Sequence, residues 1–117
     1  MEKVVSIKVT DIVGSDICVS SEDGHKVYDA IMAAVDRHET ARVSFAGVRR
    51  LTTAFLNSAI GQLYNVLGAE KISQAVTITD TDQLTDALIK RVSERARSYF
   101  SQPREVRDTI DKKVDEE

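Results

Sequence analysis

The segment Ala41-Arg-Val-Ser-Phe-Ala-Gly-Val-Arg-Arg-Leu-Thr-Thr-Ala-Phe-Leu-Asn-Ser-Ala-Ile-Gly-Gln-Leu-Tyr64 constrains the fold more than any other part of the chain. Val43 and Phe45 alternate with the smaller Ser44 and Ala46, the period of a half-buried strand, predicted over Arg42 to Val48. From about Thr53, Leu56, Ala59, Ile60, Leu63, Tyr64 and Leu67 recur at helical spacing, which predicts an amphipathic helix. A strand feeding directly into such a helix buries both only if the helix packs on the sheet, so this segment alone points to an α/β layer.

Thr52 and Thr53 stand where the strand gives way to the helix. Thr52 is expected to be the N-cap and Thr53 the first helical residue, a cap worth about 1 kcal/mol. The first turn of a helix also has backbone N–H groups without partners and the positive end of the macrodipole, so it suits an anion or a phosphorylated side chain. Thr53 and Thr52 are accordingly candidate phosphoacceptors, and Arg49 and Arg50 are candidate anion contacts.

Around this segment the pattern repeats. Val5, Ile7 and Val9 predict a strand, Gly14-Ser15-Asp16 a turn, and Ile17-Cys18-Val19 a second strand that closes a hairpin. Ser21-Glu22-Asp23-Gly24 supplies capping chemistry, with Ser21 or Asp23 as acceptor. The first helix is expected from about Gly24 to His38, burying Val27, Tyr28, Ile31, Ala34 and Val35. Gly61 inside the second helix points to close packing against the sheet, and Gly68 to its C-terminal cap.

Ala75 to Thr79 predicts a fourth strand, and Asp80-Thr-Asp-Gln83 a reciprocal cap for the third helix. That helix is expected to bury Leu84, Ala87, Leu88, Val92, Ala96 and Tyr99 or Phe100. Pro103 should interrupt it. The segment Arg104–Glu117 carries four basic and six acidic residues and a narrow apolar row, Val106, Ile110 and Val114. The expected fold is therefore α/β: a four-stranded mixed sheet with an opening hairpin and three main helices, order ββαβαβα. Residues 1–102 form the domain and 103–117 a charged helical or flexible tail.

Composition narrows the function. The 117 residues are 42% apolar and 30% charged, enough for one core and ordinary for a globular chain. A net charge of −3 and the absence of Trp argue against nucleic acid, which needs a basic face or an aromatic platform. No apolar run is long enough for a membrane span. The single Cys18 sits between apolar neighbours and fits a reducing cytoplasm. His25 and His38 have no metal-ligand partner at usable spacing. Neither a Gly-rich phosphate loop nor a nucleophile motif is present, so neither an enzyme, a metal nor a cofactor is expected.

Phe45-Ala-Gly-Val48 leading into Leu51-Thr-Thr-Ala-Phe-Leu-Asn57, with the polar turn Ser21-Glu-Asp-Gly24 before the first helix, resembles the STAS-like domain family. The resemblance covers roughly residues 4 to 100, and the family is named for its similarity to bacterial anti-sigma-factor antagonists. In those antagonists the matching turn reads Asp-Ser-Ser-Gly, and the second Ser is phosphorylated by a partner kinase. Those positions fall on Thr52, Thr53, Ala54 and Phe55, so the acceptor position holds Ala54, which has no hydroxyl, and Thr53 is the nearest substitute.

The resemblance implies a non-catalytic interaction module in bacterial signalling, with a histidine-kinase-like ATPase or similar regulator as partner. Its docking surface would comprise Thr52, Thr53, Asn57, Ser58 and Gln62, joined by Ser21, Asp23 and Gly24. Two other readings stand beside it. One is a small anion or nucleotide site at the Thr52-Thr53 helix start, and the other a homo-oligomeric scaffold paired through the Val106/Ile110/Val114 row.

Overall fold

A computed structural model describes residues 3–101. The tail assigned to residues 103–117 lies outside the described residues. In chain order the elements are strand β1 (Val4–Lys8), helix α1 (Val9–Val13), strand β2 (Ile17–Cys18), helix α2 (Ser21–Asp36), strand β3 (Thr40–Ser44) and strand β4 (Arg50–Leu51). Helix α3 (Thr53–Leu56) follows and runs through a π-helical turn (Asn57–Gly61) into helix α4 (Gln62–Val66). Helix α5 (Gly68–Ala75), strand β5 (Val76–Thr79) and the long helix α6 (Gln83–Ser101) complete the described residues.

The α/β class stands, but the sheet differs from the expected one. Strands β1, β3 and β5 form a three-stranded, wholly parallel sheet with β3 in the middle. Among the described residues there is no opening hairpin and no four-stranded mixed sheet: β2 pairs in parallel with β4 in a separate two-stranded ribbon. The cause lies at Val9. The alternation Val5, Ile7, Val9 continues a strand, yet Val9, Ile12 and Val13 also satisfy helical spacing, and the helix wins. Gly14 ends that helix with φ +79°, a left-handed conformation that glycine adopts without a Cβ clash, and its N–H reaches the Thr10 carbonyl. The chain is thereby redirected before β2, which can no longer lie antiparallel beside β1.

The register places Val5, Ala41 and Val76 in one row, and Ile7, Val43 and Ile78 in the next, all facing the helices. The opposite face carries Ser6, Arg42 and Thr77, then Lys8, Ser44 and Thr79. The alternation in β1 and β3 records this one-sided burial. Parallel sheets covered on both faces show continuous apolar strands instead.

The core joins this inner face to Val27, Ile31 and Ala34 of α2, to Phe55 and Leu56 of α3, and to Ala59, Ile60 and Leu63 beyond them. The π-turn lies between α2 and α6. Gly61 therefore meets α6 rather than the sheet: a Cβ there would find Val92 and Ala96 at 3.7 and 3.8 Å, ordinary contacts.

Helix α6 buries Ile89, Val92 and Ala96 against the π-turn, α3, α4 and α5. Leu84 and Ala87, expected in its buried stripe, are exposed because the first turn of α6 precedes that crossing. Helix α5 was not expected, since only Ile72 and Ala75 of its eight residues are buried.

Capping also shifts by a residue or two. Ser20, rather than Ser21 or Asp23, caps α2 by accepting the Asp23 N–H at 3.1 Å. Asp82, rather than Asp80, caps α6 by accepting the Thr85 N–H at 2.7 Å. Asp80 has φ +59° and accepts hydrogen bonds from Ser44 Oγ at 2.6 Å and Thr79 Oγ1 at 3.2 Å, which ties together the carboxyl ends of β3 and β5.

These bonds hold both carboxyls below their ordinary value of 3.8. For Asp80 the main cause is the Ser44 hydroxyl, then Thr79; for Asp82 it is the Thr85 backbone N–H. A carboxyl with a depressed folded-state pKa adds stability above its unfolded value, and that contribution fades as pH falls through the folded value. The domain is therefore expected to lose stability as pH drops below about 4. Asp80→Asn should flatten that decline, read as a smaller difference between the urea midpoints at about pH 6 and about pH 3.

Candidate functional site

The Thr52 turn is built from both sides. Thr52 has extended backbone (φ −121°, ψ 160°), and its Oγ1 accepts the Phe55 N–H at 3.2 Å. The same hydroxyl donates to the Val19 carbonyl at 2.6 Å, and the Thr52 N–H donates to the Cys18 carbonyl. One side chain thus caps α3 and fastens it to Val19, between β2 and α2. Thr52→Ala should cost about 1–2 kcal/mol in chemical denaturation, and Thr52→Ser should recover most of it.

The two threonines are not equivalent. Phosphate on Thr52 would remove the proton that its hydroxyl donates to the Val19 carbonyl. Thr53, the first residue of α3, is exposed, and its hydroxyl makes no hydrogen bond among the described residues. Ala54 is exposed beside it.

Gly24 brings the second polar segment to the same place. A Cβ on Gly24 would collide with the carbonyl oxygen of Phe55 and come within 2.9 Å of Ser58 Cβ. The first turn of α2 therefore lies directly on α3 and the π-turn. Ser21 is exposed there, while Asp23 is half-buried and paired with Lys26 at 3.2 Å. Gly24 itself is buried, so it belongs to the packing between helices rather than to the exposed face. Beyond the contact, Asn57 and Gln62 are exposed and Ser58 is half-buried. Their segment is the π-turn, a distortion frequent at functional sites.

On the other side of Thr52 opens a groove of about 400 Å³. Val19, Val48, Leu51 and Leu88 supply its apolar lining, with Leu84 72% exposed at its edge. Arg49 and Arg50 also line it, together with Asp82 and Thr85. Arg49 reaches Asp16 at 3.5 Å from an exposed position, whereas Arg50 has no ion pair among the described residues. Sequence reading placed the arginines beside Thr52 but missed Leu84 and Leu88. They arrive from a helix more than thirty residues away, and the only clue was an apolar residue in the first turn of α6.

The reactive side chains stand elsewhere. Cys18 is fully buried, and burial, reinforced by Asp23 and Asp16, pushes its thiol above the ordinary value. That is the environment of an inert thiol. His25 stacks on Tyr28 and reaches Asp29 at 3.5 Å on the exposed side of α2. Among the described residues, no three His, Cys, Asp or Glu side chains come together as metal ligands. No helix among them is long and apolar enough to cross a membrane.

No curated protein and no solved structure matches the chain. A family model does, over residues 23–86, from the first turn of α2 to the start of α6. The matched stretch contains the Gly24 contact, the Thr52 turn, the π-turn and β3 in the middle of the sheet. It covers more than half of the chain, which therefore belongs to the family described as STAS-like domain of unknown function (DUF4325).

Proposed function

We propose that the chain is a non-catalytic protein-interaction module of bacterial signalling that docks on a kinase-like ATPase or a similar regulator. The observation that carries this reading is the contact of Gly24 with Phe55 and Ser58. It brings the polar residues that begin at Ser21 beside the exposed Thr53, Asn57 and Gln62, on helices packed directly against each other. A docking face of this kind needs fixed backbone and exposed polar side chains rather than a perturbed acid, base or nucleophile. The small-anion reading has less support. Helix α3 has only four residues, and the Phe55 N–H that would greet an anion is already taken by Thr52.

In this reading Thr53 is the position where modification acts. A phosphate there would bring nearly two negative charges to the exposed surface without breaking the bonds of Thr52. Co-purification from the source cell tests the reading, with Thr53→Glu and Asn57→Arg beside the unchanged protein. A partner recovered with the unchanged protein and lost with both variants supports it. An identical set of recovered proteins, with unchanged urea midpoints, removes it. Mass spectrometry of the isolated protein then asks for phosphate at Thr53.

A further inference from the structure

Strand β1 is an edge whose backbone is open. The Thr40 N–H donates to the Lys3 carbonyl at 2.8 Å, which fixes the phase of the β1–β3 ladder. In a parallel pair the N–H and C=O of one residue point to the same side, and those of the next residue to the other. Val5 and Ile7 therefore turn their backbone groups towards β3, while Val4, Ser6 and Lys8 turn theirs away. Among the described residues no strand lies on that side, and the N–H and C=O of Ser6 have no partner. Val4 is 54% exposed, and Ser6 and Lys8 are exposed with it. A row of this kind is satisfied by another strand.

The opposite edge is less available. The Phe45 N–H donates to the Thr79 carbonyl, so Val76 and Ile78 are the residues of β5 whose backbone faces outward. The Val76 N–H is already held by the Ile72 carbonyl, and Asp80 leaves the extended region with φ +59°. Strand β1, by contrast, is complementary to itself. Antiparallel pairing about a two-fold axis at Ser6 sets that residue opposite Ser6 of a second copy. The Ser6 N–H of each copy then donates to the Ser6 carbonyl of the other, and the Lys8 N–H to the Val4 carbonyl. Because side chains alternate, the same register puts Val5 opposite Ile7 on the helix-covered face and Val4 opposite Lys8 on the other. The half-buried Val5 gains an apolar neighbour, and the Lys8 stem covers Val4. A lysine in the middle of the edge would forbid the pairing, but the middle is Ser6 and no like charges stand opposite each other.

We propose that a second copy of this chain completes the open edge of β1, so that two sheets join into one across a two-fold axis at Ser6. Two short edges bury less than the ~1,600 Å² of a standard interface, so the dimer is weak and forms at high concentration. The inference is independent of the interaction-module reading, whose docking residues all lie outside β1. Where both hold, the dimer presents the docking surface twice and binds a paired partner with avidity.

Sedimentation equilibrium of the full chain tests the association, and cysteine cross-linking tests the register. With rising concentration, to about 500 µM, the mass is expected to approach that of two chains. Ser6→Lys sets two ammonium groups opposite each other and should weaken association at least about tenfold, with an unchanged circular dichroism spectrum. Ser6→Cys places two thiols on Cα atoms about 5.5 Å apart, within disulfide range. Lys8→Cys places them about 13 Å apart, because the two copies of position 8 are offset by four residues. Thr77→Cys, on β5, reports the other edge, and the native Cys18 is buried and does not compete. Under mild oxidation Ser6→Cys should link two chains at least about tenfold faster than either of the others. A single-chain mass at the highest concentration would overturn the proposal. So would association undiminished by Ser6→Lys, or cross-linking as fast at position 8 or 77 as at position 6.

Discussion

Phe55→Ala is expected to remove about 3–5 kcal/mol of unfolding free energy, a large part of what a domain of this size possesses. The side chain is completely buried and is the largest of the fully buried group. It lies where α3 leaves the β2–β4 ribbon and meets α2, and three features of the site converge on it. Its ring fills the core, its N–H is held by Thr52, and its carbonyl faces Gly24. Removing the ring leaves a cavity that capped backbone on one side and a glycine contact on the other cannot readily close. Phe55→Leu, which keeps most of the volume, should cost less than about half as much. Urea denaturation followed by circular dichroism measures both, and a loss below about 1 kcal/mol for Phe55→Ala would contradict this description.

Gly24→Ala should be nearly as damaging although it adds a single methyl group. The group in the way is backbone, the Phe55 carbonyl, with Ser58 Cβ beside it, so no side chain can rotate aside. Either α2 moves outward or α3 does, and both carry fully buried residues. The expected cost is about 2–3 kcal/mol or more, against a gain of roughly 0.5–1 kcal/mol if the position were an unhindered helical glycine. Gly61→Ala is the control. That residue has ordinary helical backbone and only van der Waals neighbours, so the same change there should be neutral or stabilising by up to about 1 kcal/mol. If both glycines respond alike, the close contact of α2 with α3 is not what holds these two segments together.

These two glycines mark where sequence reading stops. Gly24 looked like the end of a polar turn and Gly61 like the tight contact. The structure exchanges those roles, because the closeness of two helices depends on where they cross. The row Val27, Ile31 and Val35 was legible because a helix buries one face at a fixed period. The rows of β1 and β3 were legible for the corresponding reason, with period two. Helix α5 was not, because it buries too few residues to leave a pattern, and Val9 satisfied two periods at once.

The Thr52 turn shows the same division. A hydroxyl residue before an apolar helical row identifies a cap locally, since the capping bond spans three residues. The bond from Thr52 to the Val19 carbonyl spans thirty-three, and nothing in either stretch announces the other. The groove is less legible still, because its lining comes from Val19 after β2, from the stretch Val48 to Thr52 around β4, and from the far-off start of α6.

Local periodicity by itself determined the α/β class, the helix start at Thr52-Thr53 and most of the core, because those depend on interactions within a few residues; the short strand β4 that leads into that helix was not foreseen. Only the tertiary structure decided that the sheet is three-stranded and parallel, that Gly24 rather than Gly61 is the tight crossing, and that Leu84 and Arg50 share a groove. Each of these depends on residues far apart in the chain, whose meeting is set by the packing of whole elements.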